Sequence, residues 1–388
     1  MISSWRHHHK KYTCHIQCLH IINLYAFYQH EYGMYISYDD GNNWKKFQLN
    51  LPIVPITDLT IKDNDLIIAT QGRSFWVLDD LSVVQQKKEN MMDKNLHVFA
   101  VNDSYRMEGT QNLTIKNAGF NPPNGAVINY WLKDVNDSAK VSITLFDNQN
   151  KLVKTFTTDA KEEKEKITFA KGMNQFVWDM QYAPAEKLDG LILWNGNVGG
   201  PKAAPGRYMA RLKVDKDSTD IFFNIKADPN YSMTDTDYND QVQFLLQVRD
   251  KFSEIQKSIK NIRTIRTQLS DFTGKMDTTN TKEIKTLADS INKKLTSIEE
   301  ALYQTKAKSG QDVLNFPIRL NDKISGLYDY INSGYTPVAK QAKEAYADLA
   351  AQADVQLNKL KNIMNNELRQ LNKLINDKQL PIIGLKAE

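Results

Sequence analysis

The apolar residues of this 388-residue chain change period once, near residue 230. Before that point they alternate with polar residues, which suits strands with one buried face. After it they recur at steps of three and four, the period of a helix. A chain of this length has room for two or three domains. The expected class is therefore a multidomain β-plus-α protein, with all of its sheet preceding most of its helix.

The helical half reads clearly. Leu245, Val248, Phe252, Ile255, Ile259, Ile262 and Leu269 form one stripe of about nine turns, with a polar interruption at Arg266. Ile284, Leu287, Ile291, Leu295, Ile298 and Leu302 form a second, with Asn280 and Glu283 as a start signal resembling a capping box. "RLNDKISGLYDYIN" predicts a shorter helix. Thr336-Pro337 opens the last one, with Thr as cap and Pro at the first helical position. Tyr346, Leu349, Ala353, Leu357, Leu360, Met364, Leu368, Leu371 and Ile375 line its face. Such stripes predict an intramolecular antiparallel bundle over 235–380 in preference to a dimeric coiled coil.

The β half divides in two. From Tyr32 to Leu81 short alternating runs are split by Asp63-Asn64-Asp65 and Gln71-Gly72-Arg73, residue types that suit tight turns. A polar stretch, 83–95, reads as a linker. A second alternating region spans 96–228, with Asp147-Asn148-Gln149-Asn150 as a hairpin turn.

The first thirty residues differ from the rest. They hold both cysteines and six of the seven histidines. One reading is a metal site from Cys14, His15, Cys18 and His20, since thiolate and imidazole are the usual zinc ligands. Another is a secretion signal, with Arg6, Lys10 and Lys11 ahead of "IINLYAF". The favoured reading is a leader, 1–30, that is non-native or disordered and packs outside the fold.

Bulk chemistry excludes several functions. The 50 basic and 46 acidic residues leave a formal charge of +4, too balanced for a nucleic-acid partner. No apolar run approaches the ~18 residues of a membrane span. Phosphate-binding, dinucleotide and zinc-protease motifs are absent from the sequence, and no cofactor is expected. No catalytic residue and no metal ligand is assigned.

One short stretch carries a specific signal. "YISYDDGNNWKKF" places Ser37, Asp39, Gly41 and Trp44 at fixed offsets. Ser37-x-Asp39-x-Gly41-x-Asn43-Trp44 resembles the Asp-box of BNR-repeat β-propellers, found in sialidases and sortilin-type proteins, with Asn43 where the family has Thr. The resemblance implies that the box is a hairpin turn on the outside of a blade. Asp39 then bonds the turn backbone, Gly41 takes a conformation that a β-carbon would obstruct, and Trp44 packs beneath the hairpin. The longer run from Gly33 to Leu81 is similar to the final propeller segment of bacterial proteins of the sortilin-type glycosyl hydrolase kind. Those carry His where Gln71 stands, followed by the same Gly72-Arg73-Ser74-Phe75-Trp76. Residues 31–82 are then the last, partial blade of a propeller.

Residues 96–228 resemble Ig-like sandwiches of the flagellar hook-capping type, through Gly172, Asn174, Trp178, Asp179, Pro205, Gly206 and Tyr208. Trp178 is expected in the core and Tyr208 on the returning strand. The helical tail, notably "YQTKAKSGQDVLNFPIRLNDKISGL", resembles the same bacterial proteins. What the resemblance implies is the C-terminal part of a secreted, periplasmic or envelope protein, whose upstream blades are its partners. It acts as a scaffold or binding module or, alternatively, is the remnant of a sialidase-like hydrolase. Two residues are candidates for meeting a glycan or protein ligand. Arg73 either faces a ligand at the propeller mouth or ties the blade to the next domain, the latter being preferred. Trp194, in the loop "LILWNGNVGGPKAAPG", either stacks on sugar or packs against a neighbouring domain, again the preferred reading.

Overall fold

Two antiparallel meanders open the chain, in a computed structural model that describes residues 19–22, 25–30, 33–87, 91–107, 119, 121–194, 196, 199–274 and 282–378. β1 (Leu19–Ile22), β2 (Tyr25–His30), β3 (Gly33–Ser37) and β4 (Lys45–Lys46) lie side by side in chain order. β5 (Ile56–Lys62), β6 (Asp65–Thr70) and β7 (Phe75–Leu78) make a second sheet. Asp63 and Asn64 join β5 to β6 with φ of 50° and 77°. A two-residue hairpin needs positive φ at both central positions, which these two side chains tolerate. Phe27, Met34 and Ile36 from the first sheet meet Ile56, Leu59, Leu66 and Ile68 from the second in one apolar cluster, closed by Leu51 and Leu81.

This arrangement corrects two expectations. Residues 31–82 do not form a single partial blade, because β3 and β5 belong to different sheets. Nor does all of 1–30 stand apart from the fold. β3 is paired on both sides, by β2 and by β4, and Phe27 of β2 is buried in the shared cluster. The cause is backbone accounting: a buried strand needs hydrogen-bonding neighbours on both edges. Cys14, His15 and Cys18 lie outside the described residues, as does the charged part of the signal-like stretch. The segment read as a linker also has structure. α1 (Ser82–Gln85) leads to a short turn at Met91–Asp93, and the Gln86 amide both donates to and accepts from the Ala100 backbone, at 3.2 and 2.6 Å.

Eight strands follow: β8 (Leu96–Val98), β9 (Ser104–Arg106), β10 (Ala126–Leu132), β11 (Val141–Phe146), β12 (Leu152–Thr157), β13 (Gly172–Trp178), β14 (Gly206–Val214) and β15 (Asp217–Ala227). They form two sheets, ordered β13-β10-β8 and β12-β11-β14-β15-β9. β10 alternates buried and half-buried residues along its whole length, so its inner face is Ala126, Ile128, Tyr130 and Leu132. Both sheets contribute to one core. Trp178 is fully buried there, its ring centre 5.5 Å from Tyr208 and 6.1 Å from Phe223. Its indole N–H donates to the Gln181 carbonyl (3.0 Å) and the Tyr208 hydroxyl to the Ala204 carbonyl (2.9 Å), so neither polar tip is stranded in the core. Burial pushes the Tyr208 pKa strongly upward. Gly125 has φ of +148°, and a β-carbon there would collide with the Trp178 carbonyl.

The helices are α2 (Asp235–Gly274), α3 (Lys282–Leu302), α4 (Leu320–Asn332), α5 (Lys340–Asn362) and α6 (Leu368–Asp377), the last two joined by a π-helical turn at Ile363–Glu367. α2 begins with a reciprocal cap: Thr234 Oγ1 accepts from the Asp237 N–H (3.2 Å) while Asp237 Oδ2 accepts from the Thr234 N–H (3.0 Å). The stripes read from the sequence pack on one another in a single cluster. Arg266 does not interrupt α2. With Arg263 it holds the buried Glu299 of α3, each guanidinium at 2.7 Å. Arg266 also donates to Asn292 (3.0 Å), two turns before Glu299, so α2 and α3 run antiparallel. α5 runs parallel to α2, since Asp240 meets Lys343 and Lys251 meets Asp354.

The start of α5 differs from expectation. Ala339, not Thr336, is its N-cap, and it makes no side-chain capping bond. Gly334 and Thr336 lie outside the helix, and their carbonyls accept from the Gln241 amide, at 2.9 Å from Gly334 and 3.4 Å from Thr336. Asn280, read as a start signal for α3, lies outside the described residues.

Two-sheet unit and bundle meet around Arg106 at the end of β9. Its guanidinium is buried, donates to the Ala203 carbonyl and to Gln241 Oε1 (both 3.1 Å), and lies 4.8 Å from the Tyr238 ring centre. Arg106→Ala is expected to cost about 3 kcal/mol by chemical denaturation, because Gln241 Oε1 and the Ala203 carbonyl lose a charged donor. Phe27→Ala is expected to cost about 3 kcal/mol, and deletion of residues 1–30 to lower the thermal midpoint clearly.

Candidate functional site

The turn after β3 is built from its own side chains. Ser37 Oγ donates to Asp39 Oδ1 (2.8 Å) and accepts from the Gly41 N–H (2.8 Å). Asp39 Oδ1 also accepts from the Asn43 N–H (2.8 Å), and Oδ2 from the Asn43 side-chain amide (2.6 Å). Asn43 therefore supplies two bonds at the position where the resembled motif has Thr. Asp40 and Gly41 have φ of 55° and 86°, so the chain reverses through two left-handed residues. These donors hold the Asp39 carboxyl below its usual value, the Asn43 amide foremost. Trp44 does not disappear beneath the hairpin: 38% of its surface stays exposed.

A cleft of about 750 Å³ lies elsewhere, where the β5–β6 turn, α1 and residues 100–104 converge. Its floor is a fixed polar network. Asp80 Oδ1 accepts from Asn64 (2.9 Å), from Asn102 (2.8 Å) and from the Ser82 N–H (2.9 Å). Asp65 Oδ1 accepts from the Asp80 N–H (2.9 Å). Asp103 is bound by Lys226 (2.7 Å) and Asn224 (3.0 Å), which lower its pKa, Lys226 foremost. Asp79, beside the network, is pushed upward by burial first and then by Asp65 and Asp80. The cleft lining includes no aromatic side chain, so it offers no ring for a sugar to stack on.

The two residues read as ligand candidates are not brought together, and neither lines this cleft. Arg73 is exposed in the β6–β7 turn, and among the described residues it forms no ion pair. Its carbonyl accepts from the Trp76 indole (2.9 Å). Trp194 is 47% exposed, and its backbone N–H donates to Asp322 of α4 (2.9 Å). Its loop is thus anchored on the bundle: the Ile192 N–H donates to the Tyr303 hydroxyl (3.4 Å), and a β-carbon at Gly196 would collide with Ser325. The cleft residues Ser82, Gln86, Asn102 and Asp103 were not legible in the sequence, since turn-type residues scattered over forty positions carry no periodic signal.

What fold and cleft define is a β-plus-α protein with a rigid, hydrogen-bonded polar hollow. Among the described residues no group of three or more His, Cys, Asp or Glu is placed to hold a metal ion, and no helix is long and apolar enough to cross a membrane. No family model matches the chain, and no curated protein does. Among solved structures, dimeric latent PorU from Porphyromonas gingivalis aligns with 46% of this chain and 13% of its own, at 10% identity and a TM-score of 0.18. The extracellular domain of the putative hybrid two-component system BT4673 from B. thetaiotaomicron aligns with 56% of this chain and 26% of its own, at 11% identity and a TM-score of 0.16. Likenesses this slight carry no argument about fold or function.

Asp39→Ala is expected to lower the thermal midpoint at neutral pH. Because the Asp39 pKa is depressed in the folded state, its stabilisation is present above the ordinary carboxylate pKa. It is lost as pH falls through the depressed value, so the gap between wild type and variant should close on acidification.

Proposed function

We propose that this chain is a non-catalytic scaffold or binding module from the C-terminal region of a secreted, periplasmic or envelope BNR-repeat protein. On this reading the two meanders are adjoining blades of a β-propeller, residues 96–228 are an Ig-like sandwich, and the helices brace it. Upstream blades are the partners, with a glycan or protein ligand meeting exposed Arg73 or Trp194. One observation carries the non-catalytic part: three carboxylates of the turn and the cleft are held by their neighbours. Asp39 uses both oxygens in its turn, and Asp80 and Asp103 are held by fixed donors. Glycoside hydrolysis generally needs two carboxyl groups free to face a bound sugar from opposite sides. The Ser37–Asp39–Gly41–Asn43 bonding supports the Asp-box part of the reading.

The exposed guanidinium of Arg73 favours a second reading, a sialidase-like hydrolase whose other active-site groups lie on upstream blades. Arginine is suited to a substrate carboxylate by its bidentate geometry. The purified chain is expected to show no turnover of fluorogenic sialosides or common hexosides. Turnover that co-purifies with the protein and falls about tenfold or more in Asp103→Asn would replace the non-catalytic reading with a hydrolytic one.

A further inference from the structure

β7 stands at the margin of its sheet, in the order β5-β6-β7. Among the described residues its backbone bonds only to β6. An open edge is a template for another strand, and proteins ordinarily blunt such edges with charge, bulges or brevity. Three other edges here are blunted. β4 is two exposed lysines, β5 has a register shift at Ile56/Asp58 and exposed Asp58 and Lys62, and β12 buries Lys154 beside a shift in its pairing with β11. β7 is short, but it carries neither a charged residue nor a bulge. It is Phe75-Trp76-Val77-Leu78, with Phe75 77% and Val77 54% exposed on one face. Ile67 and Ala69 extend that face on β6, opposite Val77 and Phe75.

The two ends of β7 carry opposite charge. Arg73 precedes it, exposed. Asp79 follows it, also exposed. Laid antiparallel on a copy of itself, about a two-fold axis at Trp76, the strand sets Phe75 opposite the partner's Val77. Arg73, in the turn before β7, then lies at the same end of the seam as the partner's Asp79. The symmetry repeats both pairs, which is the self-complementarity that an isologous interface requires.

We propose that β7 is a self-docking edge, through which two copies of this chain join their β5-β6-β7 sheets into one six-stranded sheet with Phe75 and Val77 packed across the seam and Arg73–Asp79 pairs closing its ends. The proposal goes beyond the module reading and does not depend on it. The contact is short, so the dimer is weak and concentration-dependent.

Sedimentation velocity of the full chain over a concentration series tests this. Wild type should pass from monomer to dimer. Phe75→Lys and Val77→Lys should each weaken the dimer about tenfold or more with an unchanged circular dichroism spectrum. Arg73→Glu should weaken it, and the charge swap Arg73→Glu with Asp79→Arg should restore it to within about threefold of wild type. A wild type that stays monomeric at every concentration overturns the proposal. So does a dimer that ignores both lysine variants, or a charge swap that remains as weak as Arg73→Glu alone.

Discussion

A buried guanidinium has to be surrounded before it can be tolerated, and that requirement organises the junction on which this structure turns. Arg106 cannot shed its proton, so burial demands acceptors and polarisable faces in place of water. It finds them in three segments far apart in sequence: the Ala203 carbonyl ahead of β14, Gln241 with Tyr238 on α2, and Tyr335 at 5.4 Å in the approach to α5. Gln241, oriented by Arg106 through its oxygen, spends its amide N–H groups on the carbonyls of 331, 334 and 336. One side chain at the end of a three-residue strand is thereby linked, through Gln241, to the end of α4 and the approach to α5.

The same logic governs the long loop between β13 and β14. It crosses from sheets to helices and is pinned at each step by a different hydrogen-bonding partner. Arg249 of α2 donates to the Ala183 carbonyl (3.0 Å), the Glu186 N–H donates to Ser253 (3.1 Å), and Asp322 receives the Trp194 N–H. An otherwise irregular stretch is thus satisfied by the bundle, and its exposed tryptophan is held on a fixed base.

At the other end of the molecule, polar groups are arranged for rigidity. The network of Asn64, Asp65, Asp80 and Asn102 ties the β5–β6 turn to the segment before β9, so the paired meanders are coupled to the two-sheet unit through the walls of the cleft. The exposed apolar side chains of β7, Phe75 and Val77, contrast with this polar network.

The sequence by itself determined what depends on neighbours a few residues apart. Period separated strands from helices, because a one-residue error turns an apolar side chain to water. It also placed the stripes of α2, α3 and α5 correctly. The turn at Ser37 to Asn43 was legible because all its bonds close within six residues. Tertiary structure alone decided what depends on distant partners. β2 was hidden in a histidine-rich stretch of unusual composition, and only the pairing with β3 and the burial of Phe27 bring it into the fold. Thr336-Pro337 is a good local start for a helix, yet Gln241, some ninety-five residues earlier, competes for the Thr336 carbonyl. Arg266 looked like a break in a stripe, and became a clamp once Glu299 arrived from α3. In each case a buried polar or backbone group had to be satisfied, and its partner lay beyond any local window.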